Sequence, residues 1–185
     1  MGTNMIIGLT GTLCAGKDTV ADYLEEKGFG HVSLSAILRE KAAERGIEIT
    51  LDNLTKFGNS LKETESELFL VKEAMNGINS DENTVISSIR QPGEIDFLKT
   101  QKDFYLIFVD ANPKIRFDRL LLRNRPEDPK TFEKFMENEE KQMDGKSGGM
   151  NLSYCKQSAD FILENNDSRE EFERDLENIL ERVGQ

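Results

Sequence analysis

A glycine-rich stretch near the start of the chain has the residue types and spacing of a phosphate-binding loop. From Gly11 it reads GTLCAGKDT, which fits the pattern G-x-x-x-x-G-K. In that pattern, backbone N–H groups and the start of the following helix bind phosphate oxygens, and the lysine adds a positive charge. We therefore predict that nucleotide phosphates bind to a set of loop residues: Gly11, Thr12, Leu13, Cys14, Ala15, Gly16, Lys17, Asp18 and Thr19.

The residue after the lysine departs from the common form of this loop. Ser or Thr usually stands there and binds Mg²⁺ through its hydroxyl, but this chain has Asp18 and places the hydroxyl at Thr19. A carboxylate beside phosphates is repulsive alone, yet it can bind Mg²⁺ directly or through water. It could also accept a proton from a substrate hydroxyl, or only stabilise the helix start. We predict Asp18 and Thr19 as metal ligands, and the three roles of Asp18 stay open.

Arginines are the second group of residues with chemical potential. Phosphoryl transfer requires two substrates held in line and a transferring charge that is neutralised. Arginine suits both tasks because it is permanently charged and binds phosphate with two hydrogen bonds. Outside the last predicted helix the candidates are Arg39, Arg45, Arg90, Arg116, Arg119, Arg123 and Arg125.

The elements that must position these residues alternate between strand and helix. Apolar runs predict five strands, at 5–10, 31–34, 83–89, 103–111 and 159–165. Helix-start signals follow the strands, at Lys17, at Ser35 as N-cap, at Pro92, at Pro113, and at Ser168 as N-cap. This alternation predicts an α/β domain whose five-stranded parallel sheet is flanked by helices. Two stretches, 47–80 and 125–150, interrupt it.

Composition limits the class of protein. A chain of 185 residues suits a single domain, which we place at 1–185. Its net charge of −11 argues against electrostatic binding to DNA or RNA, and no apolar run is long enough to span a membrane. Two cysteines make no disulfide framework, so we expect a reducing, cytoplasmic location. A single histidine excludes a His-rich metal site, and the oligomeric state is left open.

The sequence GKDT around Lys17 resembles the loops of the P-loop nucleoside and nucleotide monophosphate kinases. Adenylate kinase and its relatives read G-K-G-T, with the hydroxyl at the same late position. Kinases of deoxynucleoside monophosphates and animal phosphomevalonate kinases carry G-K-D. The resemblance implies a three-layer P-loop kinase fold that uses ATP and Mg²⁺, with an acceptor-binding insert at 47–80 and a small lid at 125–150.

Two further segments carry the resemblance to the acceptor side of these kinases. The stretch SLSAILRE resembles S-x-G-D-x-L-R of adenylate kinase, which implies that Ser35 and Arg39 bind the acceptor. The stretch VISSIR matches a strand that ends D-G-F-P-R, which implies that Arg90 binds the acceptor phosphate. This chain lacks the family's aspartate in that strand and has Ile86 in its place.

The donor side is similar as well. The stretch DRLLLRNR resembles D-R-x-x-x-R-R, which implies that Arg119 packs on the donor adenine and that Arg123 and Arg125 reach the phosphates. The final ADFILENNDS resembles the last strand and loop of adenylate and dephospho-coenzyme A kinases.

The leading prediction is an ATP- and Mg²⁺-dependent enzyme that transfers the γ-phosphoryl group to a phosphorylated small molecule, with a (deoxy)nucleoside monophosphate as the favoured acceptor. Its catalytic residues would be Lys17, Asp18, Arg90, Arg123 and Arg125. A dephospho-coenzyme A kinase is the alternative enzyme, since IGLTG and the final AD-x-x-x-x-N fit that family. A regulatory module that binds ATP and transfers nothing is the alternative of another class.

Overall fold

A parallel β-sheet forms the centre of the protein. The computed structural model describes residues 4–79, 81–125, 128–145 and 150–184. Its strands are β1 Ile6–Gly11, β2 Gly30–Ser33, β3 Thr84–Ser87, β4 Phe104–Asp110 and β5 Phe161–Glu164. They pair in parallel in the order β2-β3-β1-β4-β5. The loop after β1 therefore begins at the carboxyl end of the central strand.

Helices connect these strands and cover both faces of the sheet. Within the described residues they are α1 Lys17–Glu26, α2 Leu34–Glu44, α3 Leu51–Thr64, α4 Phe69–Asn76, α5 Pro92–Leu98, α6 Pro113–Arg123, α7 Phe132–Met143, α8 Leu152–Ser158 and α9 Arg169–Val183. Helices α1 and α9 pack on one face, and α4, α5 and α8 pack on the other. The predicted three-layer α/β fold is confirmed.

The apolar character of the strands follows from this double covering. Ile7 and Leu9 of β1 pack against α1 through Val20. Ile86 of β3 and Phe108 of β4 belong to the core on the opposite face. Strands covered on both faces read as continuous apolar runs, which is why the sequence revealed them.

The boundary between β2 and α2 differs from the prediction. The helix begins at Leu34, and its N-cap is Ser33, whose Oγ accepts a hydrogen bond from the Ala36 N–H at 3.4 Å. The prediction of Ser35 as N-cap was wrong, because either serine satisfies the local capping pattern. Ser35 instead lies in the first turn, where its hydroxyl is available for contacts outside the helix.

The predicted insert at 47–80 consists of two helices with different roles. Phe57 and Leu61 of α3 pack with Ala42 of α2 in a small separate cluster. By contrast, α4 contributes to the main core through buried side chains of its own, Val71 and Ala74. Only α3 and its flanking turns therefore stand apart from the sheet. Residue 80 lies outside the described residues.

The predicted lid at 125–150 contains α7, which is packed down rather than raised. Its Phe135 is only 1% exposed and contacts Phe117 of α6, with ring centroids 5.6 Å apart. Positions 126–127 and 146–149 of this stretch lie outside the described residues. The short helix α8 that follows was not predicted, since seven residues show too little periodicity.

Candidate active site

Two glycines allow the loop after β1 to take its shape. Gly11 has a φ of +139°, and a Cβ there would lie 2.0 Å from the carbonyl oxygen of Val109 on β4. Gly16 has a φ of +105°, and its Cβ would lie 2.3 Å from Nδ2 of Asn165. Both positions therefore require glycine, as the phosphate-loop pattern predicts.

Several backbone N–H groups of the loop have no acceptor among the residues that the structure describes. The Thr12 N–H donates to the Val109 carbonyl at 3.2 Å, and the Ala15 N–H donates to the Thr12 carbonyl at 3.4 Å. The other N–H groups of the loop find no acceptor in the described part of the chain: those of Leu13, Cys14 and Gly16. Helix α1 begins directly after them without a side-chain cap. Such a concave set of N–H groups at a helix start favours an anion.

Lys17 adds a positive charge to this cradle. Its Nζ donates to the carbonyls of Gly11 at 3.1 Å and Thr12 at 2.6 Å. Among the described residues, no carboxylate forms an ion pair with it. Burial lowers the pKa of Lys17 to about 8, and the positive charge of Arg90 adds to the shift. A cation held by carbonyls alone is the setting that a phosphate group would complete, so these residues fit a nucleotide.

Arg90 and Arg39, the two arginines predicted to bind the acceptor, lie near each other. Arg90 keeps exposed surface although many protein atoms lie around it. Burial lowers the pKa of Arg90; the negative charge of Glu94 opposes this effect, and the positive charge of Arg39 adds to it. The Nη1 of Arg39 donates to the Ser35 carbonyl of its own helix at 3.2 Å. The structure thus brings together Arg39 and Arg90, which the resemblance had paired.

A cluster of serine hydroxyls lies beside these arginines. Ser35 Oγ is 3.1 Å from Ser33 Oγ and 3.1 Å from Ser88 Oγ. Ser88 follows β3 with a φ of 67°, a left-handed conformation that is uncommon for residues other than glycine. These contacts hold the end of β3 against the start of α2. Ser35 therefore lies near the end of β3, and its contact with an acceptor stays a prediction.

Asp18 lies between the loop lysine and the acceptor arginines. Its side chain is exposed in the first turn of α1, and its negative charge raises the pKa values of Lys17 and Arg90 against the larger effect of burial. In the described residues, no group of three Cys, His, Asp or Glu side chains could hold a metal. Asp18 and Thr19 would therefore bind Mg²⁺ only together with phosphate oxygens and water, which is how this ion is commonly held.

The first predicted donor-side arginine is connected to the loop through Asn165. Arg119 Nη2 donates to the Asn165 carbonyl at 3.0 Å and to its Oδ1 at 3.2 Å. Asn165 Nδ2 in turn donates to the Ala15 carbonyl of the loop at 2.8 Å. The buried Nη1 of Arg119 finds no acceptor in the described residues. This unsatisfied donor beside the loop fits a ligand contact on the donor side.

The other two predicted donor-side arginines have different surroundings. Arg123 forms hydrogen bonds from Nε and Nη2 to the carboxylate of Asp128, at 3.1 and 2.6 Å. Burial alone would raise the pKa of Asp128, but the bonds from Arg123 outweigh it and lower that pKa. The Arg125 side chain is exposed, and its carbonyl accepts a bond from Lys130 Nζ at 3.0 Å. Their role on phosphates stays a prediction.

Sequence reasoning missed Asp110 at the end of β4. Its Oδ1 accepts a bond from the Thr12 hydroxyl at 2.8 Å, and its Oδ2 accepts one from Lys156 Nζ at 2.8 Å. Burial would raise the pKa of Asp110, but the hydrogen bonds from Lys156 and Thr12 outweigh it and lower that pKa. The Thr12 hydroxyl and its backbone N–H both have protein acceptors, so the predicted contact of Thr12 with a nucleotide stays a prediction. An acid at the carboxyl end of a clear strand was the available signal.

Arg116 was a candidate without an assigned role. The structure buries it, with 2% of the side chain exposed, and pairs it with both carboxylate oxygens of Glu139 on α7. Its Nε donates to the Ala111 carbonyl at 2.7 Å. The helical spacing predicted that Arg116, Arg119 and Arg123 share one face of α6. It did not predict that α7 would cover this face at Arg116.

Comparison with known proteins identifies relatives along most of the chain. Residues 7–144 match the AAA domain family AAA_18. A UPF0200 protein of Thermococcus kodakarensis is 30% identical, and the match covers 97% of this chain and 98% of that protein. A UPF0200 protein of Thermococcus gammatolerans is 29% identical over 97% of this chain and 95% of that protein.

Solved structures show the same architecture. The shikimate kinase from Bacteroides thetaiotaomicron superposes with a TM-score of 0.64 at 18% identity, covering 98% of this chain and 99% of that one. The shikimate kinase from Acinetobacter baumannii in complex with shikimate gives 0.60 at 18% identity, covering 97% and 95%. At this identity the likeness establishes the P-loop kinase-like fold. Across the described residues, none of the helices has the length and apolar character needed to cross a membrane.

Proposed function

We propose that this chain, which belongs to the AAA domain family and to the UPF0200 proteins, is an ATP- and Mg²⁺-dependent phosphotransferase. The acceptor would be a small molecule that already carries phosphate, with a (deoxy)nucleoside monophosphate as the favoured class. The likeness to shikimate kinases supports the fold, and the argument for the acceptor rests on the site.

One observation carries the proposal. In the described part of the chain, Lys17, Arg39 and Arg90 form no ion pair with a carboxylate, although the whole chain has a net charge of −11. The positive charge of Arg90 lowers the pKa of Lys17, and that of Arg39 lowers the pKa of Arg90, so the three charges lie near one another. Two carboxylates act on these cations through space, the exposed Asp18 and the buried Glu94, so the cations outnumber the anions around them, which favours phosphate-bearing ligands.

The residues divide between the two ligands. Lys17 and the N–H groups of the loop would bind the donor phosphates, and Arg119 with Asn165 would contact the rest of the donor. Arg39, Arg90 and Ser35 would bind the acceptor phosphate. Bound ATP and Mg²⁺ would supply the transferable phosphoryl group and neutralise its oxygens. Asp18 lies between the two sets, where it can hold the metal or accept the acceptor's proton.

The test is a screen for ADP release with nucleoside monophosphates, dephospho-coenzyme A and phosphomevalonate as acceptors. With the active acceptor, Arg90→Met should raise KM by roughly 10- to 100-fold, because one charged hydrogen-bonding partner is lost. The affinity for ATP should remain. Arg169→Met is the matched control, since Arg169 is exposed on α9 and pairs with Glu173.

The outcomes separate the alternatives. ADP release with dephospho-coenzyme A alone would identify the alternative kinase. The regulatory module would be favoured if the protein binds ATP but transfers phosphate to none of the acceptors, and if Arg90→Met leaves the ATP affinity unchanged. Absence of ATP binding would refute all three.

A further inference from the structure

The buried Arg116 joins three parts of the molecule that the proposed reaction would use. Its Nη1 donates to the Leu13 carbonyl of the phosphate loop at 3.5 Å, and its Nε donates to the Ala111 carbonyl after β4 at 2.7 Å. Both oxygens of Glu139 on α7 accept from its guanidinium. A buried ion pair is often no more stabilising than an apolar pair of similar volume. Stability alone is therefore a weak reason for this arrangement.

The contact with Leu13 determines where the next N–H group points. A trans peptide is planar, with its C=O and N–H on opposite sides. Because the Leu13 oxygen faces Arg116, the Cys14 N–H is directed away from Arg116, and it meets no acceptor in the described part of the chain. Cys14 has a φ of 59°. This left-handed conformation is unfavourable for a residue other than glycine, so surrounding contacts must stabilise it.

The preceding loop residue is held from the same side. The Thr12 hydroxyl donates to Asp110 Oδ1 at 2.8 Å, and this oxygen lies 3.9 Å from Arg116 Nε. Charges therefore alternate from Asp110 through Arg116 to Glu139. This buried series connects the loop at residues 12 and 13 with the helix of the lid-like segment.

We infer that Arg116 is a positioning residue of the nucleotide site, which orients the Cys14 N–H toward the donor phosphates and links the loop to α7 through Glu139. The inference rests on the proposed function, because it assigns those phosphates to bound ATP. Arg116 acts through the peptide that it holds and contacts no reacting atom.

The test compares stability with ATP affinity in one double variant, Arg116→Met with Glu139→Met. Two apolar side chains of similar length replace the pair, so no buried charge is left without a partner. Unfolding by urea should show stability close to that of the wild type. Titration calorimetry with ATP and Mg²⁺ should show an affinity about tenfold or more lower, because the Leu13 peptide is no longer held and the hydrogen bond from the Cys14 N–H to a charged phosphate is lost. Wild-type affinity in the double variant would overturn the inference.

A second variant covers the case in which the double variant does not fold. Arg116→Lys keeps the charge but lacks the planar fork needed to serve Leu13, Ala111 and Glu139 together. It should also bind ATP more weakly, and wild-type affinity would again overturn the inference. The control is Arg169→Met with Glu173→Met, an exposed pair on α9, which should leave affinity unchanged. No ATP binding by the wild type would overturn the proposed function itself, whereas wild-type binding with unaffected variants overturns this inference alone.

Discussion

The protonation of Lys17 should make ATP binding depend on pH in a defined way. Its pKa in the ligand-free protein is about 8, lowered from 10.5 chiefly by burial. Bound phosphates favour the charged form and should return the pKa to a higher value. At pH 8, about half of the ligand-free molecules carry a neutral Lys17, so binding should take up about 0.5 proton per ATP.

The affinity should fall over the same range. From pH 7.5 to pH 9 the charged fraction of Lys17 drops from about three quarters to about one tenth, so ATP should bind about eightfold more weakly. Above pH 7.5 a terminal phosphate with a pKa near 6 is already ionised and does not obscure the effect. Calorimetry in two buffers of different ionisation enthalpy measures the proton uptake directly.

Substitutions at Lys17 identify the group that titrates. Lys17→Arg stays charged in this range, so its ATP affinity should be flat with pH and its proton uptake absent. Lys17→Ala should bind weakly at every pH. Equal proton uptake in the wild type and in Lys17→Arg, or no uptake in the wild type despite ATP binding, would refute the assignment.

The same shift has a consequence for the protein without ligand. Between pH 8 and pH 10.5 the unfolded chain binds the Lys17 proton more tightly than the folded chain does. The contribution of this group to the free energy of unfolding should therefore increase as the pH rises through that interval.

Three substitutions test other parts of the site. Asp18→Asn should raise the Mg²⁺ requirement of transfer if Asp18 binds the metal, or lower the rate by roughly 10²–10⁴-fold at unchanged Mg²⁺ dependence if it is a base. Full activity at limiting Mg²⁺ would leave only a capping role. Gly11→Ala should lower the free energy of unfolding in urea by about 1–3 kcal/mol through backbone strain, since its Cβ would meet the Val109 carbonyl at 2.0 Å; wild-type stability would show that β1 and β4 can separate at no cost. Glu139→Gln removes the carboxylate bound to the buried guanidinium of Arg116 and leaves Asp110, 3.9 Å away, as the nearest anion; it should cost about 3–5 kcal/mol in the same assay, whereas a loss below about 1 kcal/mol would indicate that Asp110 or solvent compensates the charge.

The features that the sequence revealed are those with local signals. The strands around Ile7 and Phe108 are apolar because both sheet faces are covered, and the loop at Gly11 is a contiguous motif. The three-layer fold followed from these two kinds of pattern and is confirmed. The similar proteins establish the kinase-like fold. The acceptor and the roles of the individual site residues are proposals.

The features that escaped prediction depend on distant partners. The sequence pattern around Arg116 is the same as that around Arg119 and gives no sign that Arg116 is buried. Its partner Glu139 lies 23 residues away in the sequence. Asp110 meets the Thr12 hydroxyl across 98 residues. Pairs at such separations arise from packing, which a pattern of helices and strands does not specify.

The pair of Arg123 and Asp128 means that any phosphate bound by Arg123, as the sequence predicts, would compete with a carboxylate of the protein. A phosphate that reaches Arg123 has to displace a carboxylate already bound through two hydrogen bonds. The binding free energy gained is only the difference between the contact of Arg123 with phosphate and its contact with Asp128. The displaced carboxylate must also find new hydrogen-bond partners. Arg39 and Arg90 pair with no carboxylate in the described part of the chain, so an anion that reaches them would displace no carboxylate from a hydrogen bond. Arg123 should therefore contribute less to the binding free energy of a phosphate than Arg39 and Arg90 do.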